Sequence, residues 1–72
     1  MTLNEYMKNN EMTDEMFARR IGVTRSAVTY YRSSLRMPSP RVMLMIEQVT
    51  DNQVTAQDMM KEVMRVKQSL QI

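Results

Sequence analysis

Six arginines and no acidic residue lie between Arg19 and Arg41: Arg19, Arg20, Arg25, Arg32, Arg36 and Arg41. A guanidinium is always charged and presents five donors in a rigid fork. It pairs with phosphate oxygens or with the acceptor edge of a base. Elsewhere in the chain, four lysines and arginines face all eight acidic residues. The formal net charge of +2 therefore conceals a strongly polarised molecule. A one-sign cluster of this kind is an electrostatic footprint for a polyanion, and nucleic acid is the commonest one. A solvated basic face with no ligand is the competing reading.

The chain has no Cys and no His. That removes disulfides, thiolate metal sites, and the commonest general base and imidazole ligand. A catalyst would need carboxylates or a Lys/Ser pair, and no recognisable constellation is present. Ser26, Ser33 and Ser34 read as helix and loop residues. No enzyme activity, cofactor, metal site or small-molecule ligand is expected. No apolar run approaches the roughly 18 residues of a membrane span. Met1–Glu5 has no basic region leading into an apolar stretch, so a signal peptide is not expected and the cytoplasm is the default location. The 72 residues form one domain with a small core. Ten methionines point to a plastic core or to a partner-binding face.

The elements that must position the arginines are helical. Thr2 can cap a first helix running to about Asn10, with Leu3, Tyr6 and Met7 on one face. Thr13 can cap a second, with Asp14 and Glu15 at its positive end and Phe17, Ala18 and Ile21 inward. Gly22 ends it, as a residue able to take the left-handed conformation. Thr24 can cap a third helix, Arg25 to about Ser33, with Val28 and Tyr31 inward. Ser33–Met37 reads as a loop. Ser39, followed by Pro40, is a strong start signal for a fourth helix whose stripe is Val42, Met43, Ile46 and Val49. Asp51-Asn52 is a turn. Thr55 can cap a last helix, with Asp58 completing an approximate capping box. No segment alternates long enough for a confident strand, so the chain reads as all-α with five helices.

The second and third helices are separated by Gly22-Val23-Thr24, which makes a helix-turn-helix over residues 13–33. Ala18 sits where the two helices cross, and a larger side chain would push them apart. Gly22 supplies the turn, Val23 plugs it from below, and Val28 packs back on Ala18 and Ile21.

The stretch Phe17-Ala18-Arg19-Arg20-Ile21-Gly22-Val23-Thr24-Arg25-Ser26-Ala27-Val28 resembles the helix-turn-helix of phage Cro and repressor proteins. Arg36-Met37-Pro38-Ser39-Pro40, with Ile46-Glu47 and Val54-Thr55, also resembles Cro/YdaS-type small regulators of phages and prophages. The resemblance covers roughly residues 2 to 60. It implies a lambda-repressor-like DNA-binding domain over residues 1–60, in a bacterial host cell, acting as a transcriptional regulator. A Cro-type repressor on a double-stranded DNA operator is the leading expectation. A YdaS-like toxin–antitoxin regulator, an activator of the same fold, or a protein-interaction module without DNA are the alternatives.

A recognition helix enters the major groove with its N-terminal residues toward base edges. In helix 25–33 the base-contacting candidates are Arg25, Ser26, Thr29 and Tyr30. Arg25 can pair bidentately with guanine O6 and N7. Ser26 can donate or accept, and Thr29 offers a hydroxyl and a methyl that suits thymine. Tyr30 can use its hydroxyl or pack on arginine stems. The phosphate-contacting candidates are Thr13, Thr24, Arg32, Arg36, Ser39 and Arg41. At position 14 the family often has an uncharged polar residue, and Asp14 would repel a phosphate. Of Arg19 and Arg20, one is expected to face DNA and the other solvent.

Residues 61–72 extend the last helix beyond the resemblance. Ala56, Met59, Val63, Val66 and Leu70 recur at a/d spacing, and Met60 and Met64 broaden the stripe. From about Val63 onward no intrachain partner is evident. Pairing with a second copy would give a homodimer, at least on DNA, matched to two half-sites. Folding back on the chain's own core is the other option.

Overall fold

The computed structural model describes residues 1–70, so Gln71 and Ile72 of the expected extension, and the Leu70 side chain of its seam, lie outside the described residues. Five helices follow one another: α1 (Leu3–Asn9), α2 (Asp14–Ile21), α3 (Arg25–Arg32), α4 (Pro40–Val49) and α5 (Ala56–Leu70). The described residues contain no strand.

Local chemistry fixes each start. An oxygen on the capping side chain accepts from an amide that would otherwise lack a partner. The Thr2, Thr13, Thr24 and Ser39 hydroxyls accept from the amides of Glu5, Met16, Ala27 and Val42. Glu5 reaches back to the Thr2 amide at 3.0 Å, so α1 carries a complete capping box in which Glu5 joins the expected Thr2. Thr55 and Asp58 form the same reciprocal pair at the start of α5. Ser33 ends α3 with its amide bonded to Thr29, so the helix closes one residue earlier than expected.

The core gathers one face from each helix. Leu3 and Met7 of α1, Phe17, Ala18 and Ile21 of α2, Val28 of α3, Met43 and Ile46 of α4, and Met59 of α5 are all buried, together with Val54. Tyr6 meets Phe17 edge-on with ring centroids 6.4 Å apart. The methionines divide between the core and the surface. Met7, Met43 and Met59 fill the core, while Met16, Met37, Met60 and Met64 are exposed.

The C-terminal seam is used inside the chain. Met59 and Val63 are buried among the described residues of this one copy, and Ala56 packs against the core. The expectation that Val63 lacks an intrachain partner is therefore corrected. Its side chain lies on the same helical stripe as Met59, and that stripe closes the bundle.

The reversal between α4 and α5 depends on Thr50. Its hydroxyl, almost fully buried, donates to the Ile46 carbonyl at 2.7 Å and accepts from the Val54 amide at 3.2 Å. Asp51 and Asn52 both take positive φ, 54° and 62°, to turn the chain. Thr50→Val keeps the shape but leaves the buried Val54 amide without its acceptor. Urea unfolding should show a loss of about 1–3 kcal/mol. A loss below about 0.5 kcal/mol would mean the hydroxyl does not hold this turn.

Candidate nucleic-acid interface

The turn between α2 and α3 is built on Gly22, whose φ of 72° and ψ of 36° lie in the left-handed region. Its amide and that of Val23 both donate to the Ala18 carbonyl, at 2.9 and 3.1 Å. A Cβ added there would meet nothing within 4 Å, so backbone conformation rather than space requires the glycine. Ala18 is buried and Val23 half-buried, as the crossing demands. Val28 turns inward and Ala27 and Tyr31 are half-buried. The opposite face of α3 carries Arg25, Ser26, Thr29 and Tyr30, all exposed. The four expected base-contacting residues thus share one solvent-facing surface.

The basic residues sort into three environments. Arg36 lies over the Tyr30 ring with its guanidinium carbon 4.8 Å from the centroid. The aromatic face holds that cation beside α3, which is the packing role considered for Tyr30. Arg19, Arg20, Gly22, Ser39 and Arg41 line a cleft of about 390 Å³ where the end of α2 meets the start of α4. The structure therefore brings Arg20 into one cleft with the Ser39 cap and Arg41, a juxtaposition that no sequence spacing signals. Arg19 pairs with Glu15 at 2.8 Å on the exposed side of α2.

Arg32, expected as a phosphate anchor, is half-buried and engaged by protein on all three nitrogens. Its Nη1 donates to Asp14 Oδ1 at 2.5 Å, and its Nε and Nη2 donate to Asn4 Oδ1 at 3.0 and 2.8 Å. The reason is geometric. Arg32 is the last residue of α3 and projects back toward the start of α2 and the side of α1. Asp14 and Asn4 stand there as acceptors.

Asp14 changes meaning as well. Its Oδ2 accepts from the Thr29 hydroxyl at 2.6 Å while Oδ1 meets Arg32. The carboxylate is thus turned into the protein and its charge is matched. Its pKa is held below the ordinary value. The Thr29 hydrogen bond is the main cause, partial desolvation opposes it, and the Arg32 hydrogen bond and charge add to it. Thr13 and Thr24, expected at the DNA backbone, are exposed at the starts of α2 and α3 with their hydroxyls accepting cap hydrogen bonds. Asn4 is not foreseen by the sequence as a member of this region, and Asp14 is read there only as a charge that would repel phosphate, not as the partner of Thr29 and Arg32. Asn4 is 28 positions from Arg32 and Asp14 is 18, so no local spacing signals either contact.

A helix-turn-helix family model matches residues 3–55. The match spans all of α1 to α4 and the turn that leads into α5. The chain belongs to this helix-turn-helix family, of the Cro and repressor type, whose members are DNA-binding transcriptional regulators. Comparison with the curated proteins and with the solved structures gave no significant match. Among the described residues no helix is long and apolar enough to cross a membrane.

The Asp14 bridge should be visible in acid. Because its pKa is lower folded than unfolded, its contribution is complete above the ordinary value near pH ~4. It is lost as pH falls through the lowered folded-state value. Thermal unfolding followed from about pH 6 to about pH 2 should show a steep loss for the wild type and a shallower one for Asp14→Asn. Identical slopes would assign the acid loss to Glu5 and Asp58, which the cap hydrogen bonds with Thr2 and Thr55 also hold low.

Proposed function

We propose that this protein is a Cro-type phage or prophage repressor that reads a double-stranded operator through the major groove. The exposed face of α3, carrying Arg25, Ser26, Thr29 and Tyr30, is the observation that carries the reading. Arg25 is the base reader, donating in pairs to guanine. Thr13, Thr24, Arg36, Ser39 and Arg41 position the protein on phosphates. Arg36 and Arg41 are exposed and, among the described residues, form no ion pair. The longest dimension of the molecule, 35 Å, matches about ten base pairs of duplex. A body of that size on an operator occludes the DNA beneath it, which is the physical basis for repression.

Binding assays on operator and random DNA separate the two roles. Arg25→Ala should weaken operator binding by roughly 1–3 kcal/mol and leave random DNA little changed. Arg41→Ala should weaken both alike and reduce the dependence on salt. Equal losses on both DNAs for Arg25→Ala would remove the base-reading role.

The reading includes a homodimer on DNA. Support comes from the apolar surface that remains after the core closes. Leu44, Met60 and Met64 are 60%, 52% and 55% exposed. Met60 and Met64 follow Ala56 at intervals of four, on one side of α5. Ala56 and Leu44 share an apolar cleft of about 540 Å³ with Met37, Pro38 and Pro40. A second copy presenting the same surface gives the two-fold pairing that operator half-sites about 34 Å apart require. The pairing face is then the Met60/Met64 side of α5, displaced from the Met59/Val63 seam. Sedimentation at micromolar concentration should show pairing of the wild type on DNA and loss of it for Met60→Lys combined with Met64→Lys. A protein mass of one chain, 8.5 kDa, in every particle, free or after subtraction of the bound DNA, would refute pairing.

A further inference from the structure

We infer that Asp14 sets what Thr29 can read: by holding the only proton of the Thr29 hydroxyl, it leaves the γ-methyl as the reading group and selects thymine at the base pair facing Thr29. The inference rests on the proposed major-groove reading and extends it to one position of the operator.

A threonine hydroxyl has one proton and two acceptor lone pairs. Two acceptors lie within reach of Thr29 Oγ1: Asp14 Oδ2 at 2.6 Å and the Arg25 carbonyl at 3.2 Å. One proton cannot serve both. The carboxylate is charged and much closer, and hydrogen bonds to charged acceptors are the shorter and stronger ones, so the proton lies toward Asp14. The carboxylate has no proton of its own to return. Arg32 locks the arrangement from the other side, because its Nη1 fixes Asp14 Oδ1 and so aims Oδ2 at Thr29. Arg32 is fixed in turn by Asn4.

The consequence for recognition is specific. Thr29 is exposed on the reading face, but its hydroxyl has nothing left to donate. It cannot donate to guanine N7 or O6, or to thymine O4. Its oxygen lies toward Asp14 and the Arg25 carbonyl, and toward the groove it can only accept, as from the adenine N6 of a T·A pair. The γ-methyl is the apolar group that Thr29 offers the groove, and the C5-methyl of thymine is its counterpart there. Asp14 is therefore a positioning residue that determines specificity without touching a base.

Substitution at Asp14 has a predictable hydrogen-bond outcome. In Asp14→Asn only one oxygen remains. Arg32 can only donate, so it takes that oxygen, and the amide nitrogen is left facing Thr29. That nitrogen donates to Thr29 Oγ1 and releases the hydroxyl proton, for which the Arg25 carbonyl at 3.2 Å and a base acceptor in the groove then compete. Where the base takes it, the residue gains a donor and its preference shifts toward bases with major-groove acceptors.

The test is selection of bound sites from a random DNA pool, followed by binding to the selected site with thymine or uracil at the position assigned to Thr29. Uracil differs only by the missing methyl. For the wild type and Thr29→Val, uracil should weaken binding several-fold. For Thr29→Ser, which keeps the hydroxyl and lacks the methyl, thymine and uracil should bind alike. Asp14→Asn should relax the preference at this base pair and leave the base facing Arg25 unchanged, which a general loss of folding would not do. Thermal unfolding of each variant identifies any that fail to fold. Retained thymine preference in Thr29→Ser, or its loss in a folded Thr29→Val, would overturn the inference while leaving the major-groove reading intact. Failure of the wild type to enrich any sequence would overturn that reading and this inference with it.

Discussion

The ion pair between Asp14 and Arg32 joins the first residue of α2 to the last residue of α3. Asn4 extends it to α1 through the same guanidinium. Three of the five described helices are thereby tied at one point, beside the exposed face of α3. Both side chains are only 22–23% exposed, so the pair is less screened than a surface bridge. Removing one partner would leave a partly buried charge unmatched, which costs more than the pair itself contributes. Packing of Val28 against Ala18 and Ile21 sets the distance between α2 and α3. The bridge sets their rotation, because it fixes where the C-terminal end of α3 lies relative to the N-terminal end of α2.

The same pair decides which charges are available. An arginine cluster read along the chain counts Arg32 with its neighbours, since sequence reports charge and not commitment. The acid that matches it, Asp14, lies outside the acid-free window. In sequence Asp14 looked like an obstacle to DNA, a negative charge at a helix end where a phosphate would approach. In the structure it is the acceptor that orients Thr29 and neutralises Arg32. Neither role could be derived from spacing, because both need the crossing geometry of two helices and the projection of one long side chain.

What was legible beforehand was local. Helix starts follow from a hydroxyl and an amide three residues apart, so Thr2, Thr13, Thr24, Ser39 and Thr55 identified themselves. The stop at Gly22 follows from a φ that other residues resist. The inward faces follow from helical periodicity. The a/d pattern after Ala56 was equally clear, but periodicity says only that a face is apolar. It does not say whether that face meets the chain's own core or another copy. Here the bundle closes over Met59 and Val63, and the Met60/Met64 side is what remains outside.

Charge arithmetic gives an independent reason for two copies to act together. Among the described residues, Arg20, Arg25, Arg36 and Arg41 form no ion pair, whereas Arg32 is neutralised and Arg19 has an exposed partner in Glu15. If Arg25 is directed at a base as proposed, Arg20, Arg36 and Arg41 are the guanidiniums of each copy that remain to meet phosphate. Three neutralised phosphates give a salt exponent near −3, so affinity would fall only about 40-fold between 50 and 200 mM salt. The sequence-independent attraction behind that exponent is small. Non-specific binding by one copy is then weak, and a single half-site read by one short helix adds a few kcal/mol at most. Two copies double the exponent and square the discrimination. With so few free guanidiniums around α3, the chain gains more from a second reading helix than from a stronger grip on the backbone. On that argument, the neutralisation of Arg32 shifts the protein from general attraction toward sequence selection.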